Sequence, residues 1–350
     1  MNRLIAITLV AAAAGLGTSL ARLPTAEAQA KRVTVQMDWV IGGAHGGFFV
    51  AKEKGFYAAR GLDVTISRGF GSGDTIKVVA AGKLDFGFAN IPAAIISRGK
   101  GAPVKELAVV IGKAPESFVS FEEKGIRTLK DLEGKSFLEA AGAATMVTWP
   151  AFAKLAGIDI NKMTFIAVEA AAKPAAFFGG RGDLAFGFRP GFDEPVIVRA
   201  RKEGRKLVYL RWEDYGWKVY GSGIVASDEL LKRDPKLAAD FVAATMDGYR
   251  WAIENHEQAL EIFVKANPEV DRDAARLGLM IAIDGLLTPA GREQGLGTMD
   301  AERMAFQIDM LAKLNNFPRP AAEEIYTNQF IRKVPVTVPA ALQAELAKMP

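Results

Sequence analysis

Polar and aromatic side chains stand where predicted strands end, and their types suit the binding of a small molecule. In open parallel sheets, ligands bind at the carboxyl ends of strands, where loops and helix amino termini converge. This rule, with the segments that join the strands, gives these candidates: Asp38, Trp39, His45, Ser72, Asn90, Glu169, Arg189, Glu194 and Tyr220. The set combines flat rings with acidic, basic and hydroxyl groups, so it could hold a planar hydrogen-bonding solute or a small anion.

Asp38 and Trp39 directly follow the first predicted strand and precede a glycine-rich loop at 42–47. A tryptophan at this point can stack on an aromatic ligand, or it can be a core residue beside a helix-capping aspartate. His45 could donate a hydrogen bond to a ligand or cap the helix that follows.

The remaining candidates also have two interpretations. Ser72 lies in the small-residue segment 71–75 at a predicted helix start, which is an anion site by geometry or a simple capping turn. Glu169, Glu194 and Arg189 follow strands and could bind ligand N–H or carboxylate groups, although surface solvation explains them almost as well. Tyr220, at a predicted crossing between lobes, could close over the ligand.

Catalytic and metal-binding patterns do not occur in the sequence. It has no G-x-S-x-G, H-E-x-x-H, G-x-G-x-x-G or G-x-x-x-x-G-K-[ST] motif, only two histidines and no cysteine. We therefore expect a binding protein with no catalytic residues, no metal and no cofactor, rather than an enzyme.

A repeated motif indicates how these residues are positioned. The pattern G-[LI]-D-[VI], then G-x-x-D-x-x-F-x-x-x-P, begins at Gly61 and Gly82 in one copy and at Gly157 and Gly180 in the other. Two similar units predict two lobes facing each other across a cleft, where a small molecule would bind. The predicted fold class is α/β, each lobe having a mostly parallel sheet flanked by helices.

The predicted domains are a signal peptide at 1–30, a first lobe at 31–115 plus 225–350, and a second lobe at 116–224. The positive start, the apolar stretch and the A-x-A site at 28–30 are typical of secretion. Because there is no cysteine, no lipid anchor is expected, so the mature protein should be soluble in the periplasm. The net charge of +4 is not clustered, which argues against nucleic-acid binding.

The chain resembles the periplasmic substrate-binding proteins of ABC importers for nitrate, sulfonates, taurine and thiamine pyrimidine precursors. The resemblance rests on these segments: Met37-Asp38-Trp39, His45-x-Gly47-Phe48-Phe49, Gly61-Leu62-Asp63-Val64, Leu129-x-Asp131-Leu132, Gly182-Asp183, Glu194, Thr298-Met299-Asp300 and Tyr326-Thr327-Asn328-Gln329-Phe330. It covers nearly the whole chain after residue 30.

This resemblance implies a two-lobed, type II periplasmic-binding fold whose closed form, expected as a monomer, is recognised by an ABC permease and ATPase. It also implies that a pyrimidine-type ring lies against Trp39 and that acidic residues bind its amino groups. The segment 40–44 lacks the polar residues usual in the pyrimidine branch, so another heteroaromatic solute or an aromatic acid is also consistent. A binder of sulfonate, nitrate or another small anion, and a sensory module that docks on a receptor, are the alternatives.

Overall fold

The computed structural model describes residues 30–348, so the predicted signal peptide lies outside the described residues except for Ala30. The strands are β1 (Lys31–Gln36), β2 (Leu62–Ser67), β3 (Phe86–Asn90), β4 (Val104–Val109), β5 (Glu116–Phe121), β6 (Ser136–Glu139), β7 (Thr164–Ala167), β8 (Leu184–Phe188), β9 (Leu207–Arg211) and β10 (Ser222–Ser227). The helices are α1 (Gly46–Glu53), α2 (Ser72–Ala80), α3 (Ile91–Gly99), α4 (Ala144–Ala156), α5 (Lys173–Phe178), α6 (Asp193–Lys202), α7 (Asp228–Arg233), α8 (Pro235–Glu254), α9 (His256–Ala266), α10 (Arg272–Leu286), α11 (Pro289–Gln294), α12 (Ala301–Asn315), α13 (Ala322–Ile325) and α14 (Ala340–Leu346).

The strands form two sheets with the same plan. The first has the order β2-β1-β3-β10-β4 and the second the order β7-β6-β8-β5-β9. In each sheet the fourth strand, β10 or β5, runs antiparallel to both neighbours. The other pairs are parallel. The predicted pair of mostly parallel sheets is therefore confirmed, with one reversed strand in each.

The repeated aspartates hold equivalent strand pairs together. The Asp85 carboxylate accepts hydrogen bonds from the backbone N–H and hydroxyl of Thr34 on β1, and Asp183 accepts the same two bonds from Ser136 on β6. Each aspartate precedes the strand that pairs with β1 or β6. The repeated motif thus encodes a pair of side-chain hydrogen bonds that join neighbouring parallel strands.

Two further glycines of the motif end helical turns. Gly61 and Gly157 have φ values of 69° and 68°, the left-handed region in which a residue without Cβ is least strained. The chain then enters β2 in one lobe and the segment before β7 in the other. Equivalent glycines therefore set equivalent turns.

The carboxyl-terminal helices pack largely on the first lobe. Phe241 and Tyr249 of α8 contact Phe48 of α1 within the core of the first sheet, and α9 packs on α1 as well. Helix α12 packs between α3 and α4, and α10 also contacts α6 of the second sheet. In the described residues no helix is both long and apolar enough to span a membrane.

The sequence did not predict α3, α6 or β9. Helix α3 begins with Ile91 and Pro92, and a proline in the first turn is favourable because its missing N–H would have no intrahelical partner.

Strand β10 starts at Ser222, opposite Asn90 of the first sheet, within the range predicted for the second lobe. The lobe boundaries at 115/116 and 224/225 stay predictions.

Candidate functional site

A cavity of about 350 Å³ lies between the two lobes, at the carboxyl ends of β1 and β8. Its wall comes from the segment after β1, the turn between β8 and α6, the start of the 3-10 helix Ala170–Ala172, and the loop before α10. Its polar or charged lining side chains are Asp38, His45, Glu194, Ser222, Glu269 and Asp271. The volume is in the range of small-molecule sites.

Asp38 is buried and its carboxylate is fixed from two sides. Its Oδ1 lies 3.2 Å from Nε2 of His45, and its Oδ2 accepts a hydrogen bond of 3.1 Å from the Ser222 hydroxyl. The backbone N–H of Gly42 donates to Nδ1 of His45, so the proton of the neutral ring is on Nε2 and is donated to Asp38. His45 therefore orients Asp38, since both its ring nitrogens are engaged.

This group of side chains does not form a catalytic triad. In a triad the histidine must reach the hydroxyl nucleophile, with the carboxylate behind it. Here the hydroxyl of Ser222 donates to Asp38, and the ring nitrogens of His45 are hydrogen-bonded to the carboxylate and a backbone N–H. The arrangement holds a carboxylate in a cavity wall rather than activating a nucleophile.

Trp39 is half-buried and lies where the lobes meet. It packs against a small cluster of second-lobe alanines that includes Ala140 and Ala170. Lys173 Nζ lies 5.7 Å from the centre of its ring. Because Trp39 also lines the cavity, it offers an aromatic surface to whatever lies between the lobes.

Glu194 stands in the first turn of α6 with a carboxyl group that is only half satisfied. Its Oε2 accepts a hydrogen bond from the backbone N–H of Gly191, and its Oε1 is buried without a hydrogen-bond partner among the described residues. Burial, followed by the nearby Asp193 carboxylate, raises the pKa of Glu194 to about 8. At neutral pH the group therefore carries a proton and can both donate and accept a hydrogen bond.

Ser72 and Asn90 lie deeper, beside a second and much smaller cavity. Ser72 lines this chamber of about 20 Å³, which has room for about one water molecule. Its hydroxyl oxygen accepts a hydrogen bond from the Asn90 backbone N–H. The Asn90 side chain caps α3 and donates to Glu116 Oε1 across the lobes. Neither residue lines the larger cavity.

The same chamber contains a buried ion pair that the sequence did not indicate. Lys173 donates to Glu139 Oε1 and to the carbonyl of Phe186, at 2.8 and 2.6 Å. Glu139 also accepts from the hydroxyl of Thr145. Burial lowers the pKa of Lys173, while Glu139 favours its charged form. A glutamate ending a buried strand was the signal that could have revealed this pair.

Three predicted residues lie away from the larger cavity. Glu169 is exposed, pairs with Arg68 at 3.0 Å and caps the 3-10 helix Ala170–Ala172. Arg189 lines other pockets of the second lobe. Tyr220 is buried, and its hydroxyl accepts the backbone N–H of Asp300. The placement of these three side chains gives no support to a direct ligand contact.

Glu269 and Asp271 line the cavity but were not predicted. They come from the loop between α9 and α10, far along the chain from the other lining residues. Asp271 pairs with Lys202 of α6 at 2.9 Å, so this rim joins the two lobes. Among the described residues that line the cavity, none is lysine or arginine.

A model of the family described as NMT1/THI5 like matches residues 43–259, more than half of the 350-residue chain. The chain belongs to the NMT1/THI5-like family. The matched range includes the 3-10 helix Gly43–His45, both repeated aspartates and Glu194, whereas Asp38 and Trp39 lie before its first residue.

Curated relatives of this NMT1/THI5-like protein have different names. The formylaminopyrimidine-binding protein of Halalkalibacterium halodurans is 26% identical, over 83% of this chain and 88% of the relative. The riboflavin-binding protein RibY of Chloroflexus aurantiacus is 22% identical, over 94% of this chain and 95% of the relative. A 4-amino-5-hydroxymethyl-2-methylpyrimidine phosphate synthase of Legionella pneumophila is 24% identical, over 68% of this chain and 74% of the relative.

Solved structures share the fold. The periplasmic aliphatic sulphonate binding protein SsuA of Escherichia coli aligns with a TM-score of 0.62 and 15% identity, covering 86% of this chain and 99% of that chain. This likeness, together with the two mixed sheets, confirms the predicted two-lobed α/β periplasmic-binding fold for the NMT1/THI5-like chain.

Proposed function

We propose that this protein is the periplasmic solute-binding component of an ABC importer and captures a small, nitrogen-bearing heteroaromatic solute between its lobes. The observation that carries the proposal is the unpartnered Glu194 Oε1 on a residue that lines the interlobe cavity. Leaving a buried polar atom without a partner costs about 1–3 kcal/mol, which a ligand hydrogen bond would recover.

A ring with nitrogen atoms fits the chemistry of this wall. Trp39 supplies a flat surface for stacking, and a protonated Glu194 can pair with a ring nitrogen while its second oxygen accepts from an amino group. The buried Asp38 carboxylate is a further acceptor. The names of two relatives, for formylaminopyrimidine and riboflavin binding, support a nitrogen heterocycle as the ligand class.

The charge of the cavity argues against a sulfonate, nitrate or other anion as the solute. Asp38, Glu269 and Asp271 line it together with the protonated Glu194, and no described lining residue is lysine or arginine. An anion would lose its hydration without gaining a cationic partner, which is unfavourable in a partly buried site. The helix start at Ser72 is also engaged, since the Gly73 N–H donates to the Gly142 carbonyl.

Binding fits the side chains better than catalysis does. The Asp38, His45 and Ser222 hydrogen bonds fix a carboxylate and leave no base beside a nucleophile. One relative is named a synthase, so turnover is checked directly by following the bound ligand by mass spectrometry. Recovery of the unchanged ligand after prolonged incubation is the expected result, and a converted ligand would contradict the proposal.

The test is a thermal-shift and calorimetric screen of residues 31–350 against pyrimidines, flavins, other heteroaromatics, sulfonates and nitrate. A ligand at 100 times its dissociation constant adds about 2.7 kcal/mol of stability. We expect hits among the nitrogen heterocycles. Hits only among sulfonates or nitrate would contradict the proposed ligand class.

Replacing Glu194 tests the observation on which the proposal rests, the unpartnered Oε1 of this residue. We expect Glu194→Ala to weaken binding of the identified heterocycle at least about tenfold, because it loses a hydrogen bond worth about 1.4 kcal/mol or more. Glu169→Ala is the matched control, since Glu169 is exposed outside the cavity, and should bind normally. Equal affinity in the Glu194 variant would overturn the assignment of the site.

A further inference from the structure

A further pocket, of about 250 Å³, lies on the second lobe, and its chemistry differs from that of the interlobe cavity. Four arginines line it: Arg189, Arg201, Arg205 and Arg211. They come from the turn after β8, from α6, from the loop after α6, and from β9. We call this the arginine pocket, and it shares no lining residue with the interlobe cavity.

Positive charge in the arginine pocket exceeds the negative charge that faces it. Asp193 is the acidic residue among its described lining side chains. Arg205 pairs with Glu123 and lies over the ring of Phe121. Its charge is therefore partly balanced by an acidic residue that does not line the pocket. The structure gives neither Arg201 nor Arg211 a salt bridge with any described residue. Arg211 lies 5.9 Å from the centre of the Tyr209 ring, but no direct ion pair with a described residue neutralises it or Arg201.

Tyr209 adds a hydrogen-bond donor without a partner. Its hydroxyl is buried, has no hydrogen-bond partner among the described residues, and belongs to a side chain that lines the arginine pocket. Burial, with the nearby carboxylates of Asp193 and Glu194, raises the pKa of Tyr209, so the hydroxyl keeps its proton. An acceptor oxygen from a ligand would satisfy this donor.

We propose that the arginine pocket is a second binding site, for a phosphate group, either free or carried by a small organic molecule. Guanidinium groups present paired N–H donors that match the oxygens of phosphate, and several around one pocket are typical of phosphate recognition. The volume exceeds that of several water molecules, each about 30 Å³ in the liquid, so a phosphate with a small organic part fits.

The arginine pocket is separate from the site of the proposed function but shares one turn with it. Gly191 and Glu194 line the interlobe cavity, whereas Arg189 and Asp193 line the arginine pocket. Phosphate binding should therefore not require the aromatic solute. Failure of one proposal would leave the other testable.

Calorimetry of residues 31–350 with inorganic phosphate and with glycerol phosphate, at low ionic strength without other ligands, tests the site. We expect saturable binding that weakens at least about tenfold in Arg211→Gln, because one charge-assisted hydrogen-bonding group is lost. Arg199→Gln is the control: Arg199 lies on α6, as the pocket residue Arg201 does, pairs with Glu203 and does not line the pocket. It should bind within about twofold of the unmodified protein, since surface charge alone contributes little.

Tyr209→Phe keeps the test decisive if the arginine variant fails to fold. It removes only a hydroxyl that has no partner, so we expect unchanged or higher thermal stability and weaker phosphate binding. Tighter binding of glycerol phosphate than of inorganic phosphate would identify an organic phosphate as the ligand. Equal binding of the two would identify free phosphate as the ligand. No saturable binding to the unmodified protein, or an equal loss in Arg199→Gln, would overturn the proposal.

Discussion

Glu116 and Glu194 are buried glutamates that each keep one oxygen without a described partner, yet they have different surroundings. Glu194 lines the interlobe cavity, whereas Glu116 accepts from Asn90 across the lobes and lines none of the described pockets near it. Burial raises the pKa of both to about 8. An unpartnered oxygen on a residue that lines a cavity indicates a binding site, and one on a residue away from the cavities affects stability.

Glu116 should therefore make folding stability depend on pH. Its pKa is about 8 in the folded protein against 4.5 as the ordinary value, so between these values the folded state binds the extra proton. Stability then falls as pH rises, by up to about 1.4 kcal/mol per pH unit, and levels off above pH 8. We expect Glu116→Gln to reduce this slope in urea unfolding measured from pH 5 to 8. The part that Glu194 contributes should remain, because burial raises its pKa to about 8 as well.

Glu123→Gln is the control for that measurement, because Glu123 is exposed and its pKa is lowered, chiefly by hydrogen bonding to Arg205. Its variant should keep the slope of the unmodified protein. An unchanged slope in Glu116→Gln would mean that the buried carboxyl is already ionised in the folded state.

At the scale of elements, local sequence predicted most of what the backbone does. The sequence predicts a strand over Leu62–Ser67 and a helix over Ala301–Asn315, and the structure has both elements with these bounds. Strand β9 was missed, since Leu207–Arg211 alternates weakly and lies among charged residues. The repeated Asp85 and Asp183 correctly indicated two similar units, although their chemical role is to clamp strands.

The candidate site was predicted only in part, because strand ends fix where a backbone lies but not where each side chain points. Asp38, Trp39 and Glu194 line the cavity, whereas Arg189 lies on the other side of the same turn. Successive residues of extended chain face opposite ways, so a strand-end rule alone cannot separate them. The contribution of Glu269 depends on packing between distant segments, which leaves no local signal.

The buried pair of Lys173 and Glu139 joins α5 to β6, and we expect its loss to destabilise the second lobe. Lys173→Ala leaves Glu139 buried without its cation, which typically costs about 3–5 kcal/mol. Lys162→Ala breaks the exposed pair with Glu133 and should have little effect on stability. Urea unfolding measures both, and similar small losses would show that Glu139 takes up a proton instead.

At the scale of the whole molecule, two ion pairs join the lobes beside the cavity. Arg68 pairs with Glu169 at 3.0 Å and Lys202 with Asp271 at 2.9 Å, and these side chains are largely exposed. Exposed pairs contribute little, so they do not hold the lobes together by themselves. A ligand that contacts both Trp39 and Glu194 can therefore shift the balance toward the closed arrangement.

Closure should depend on one close approach between the lobes, at Gly71. An added Cβ would lie 2.0 Å from the Gly142 carbonyl oxygen of the second lobe, far closer than atoms can pack. We expect Gly71→Ala to lower affinity for the solute at least about tenfold, because the closed form becomes strained. In small-angle scattering its radius of gyration should not contract when ligand is added.

Gly82→Ala is the control, since Gly82 also has a positive φ of 67° but has open space around it. That variant should lose about 1 kcal/mol of stability and still close on the ligand. Normal closure and affinity in Gly71→Ala would show that the solute binds without this approach of the lobes.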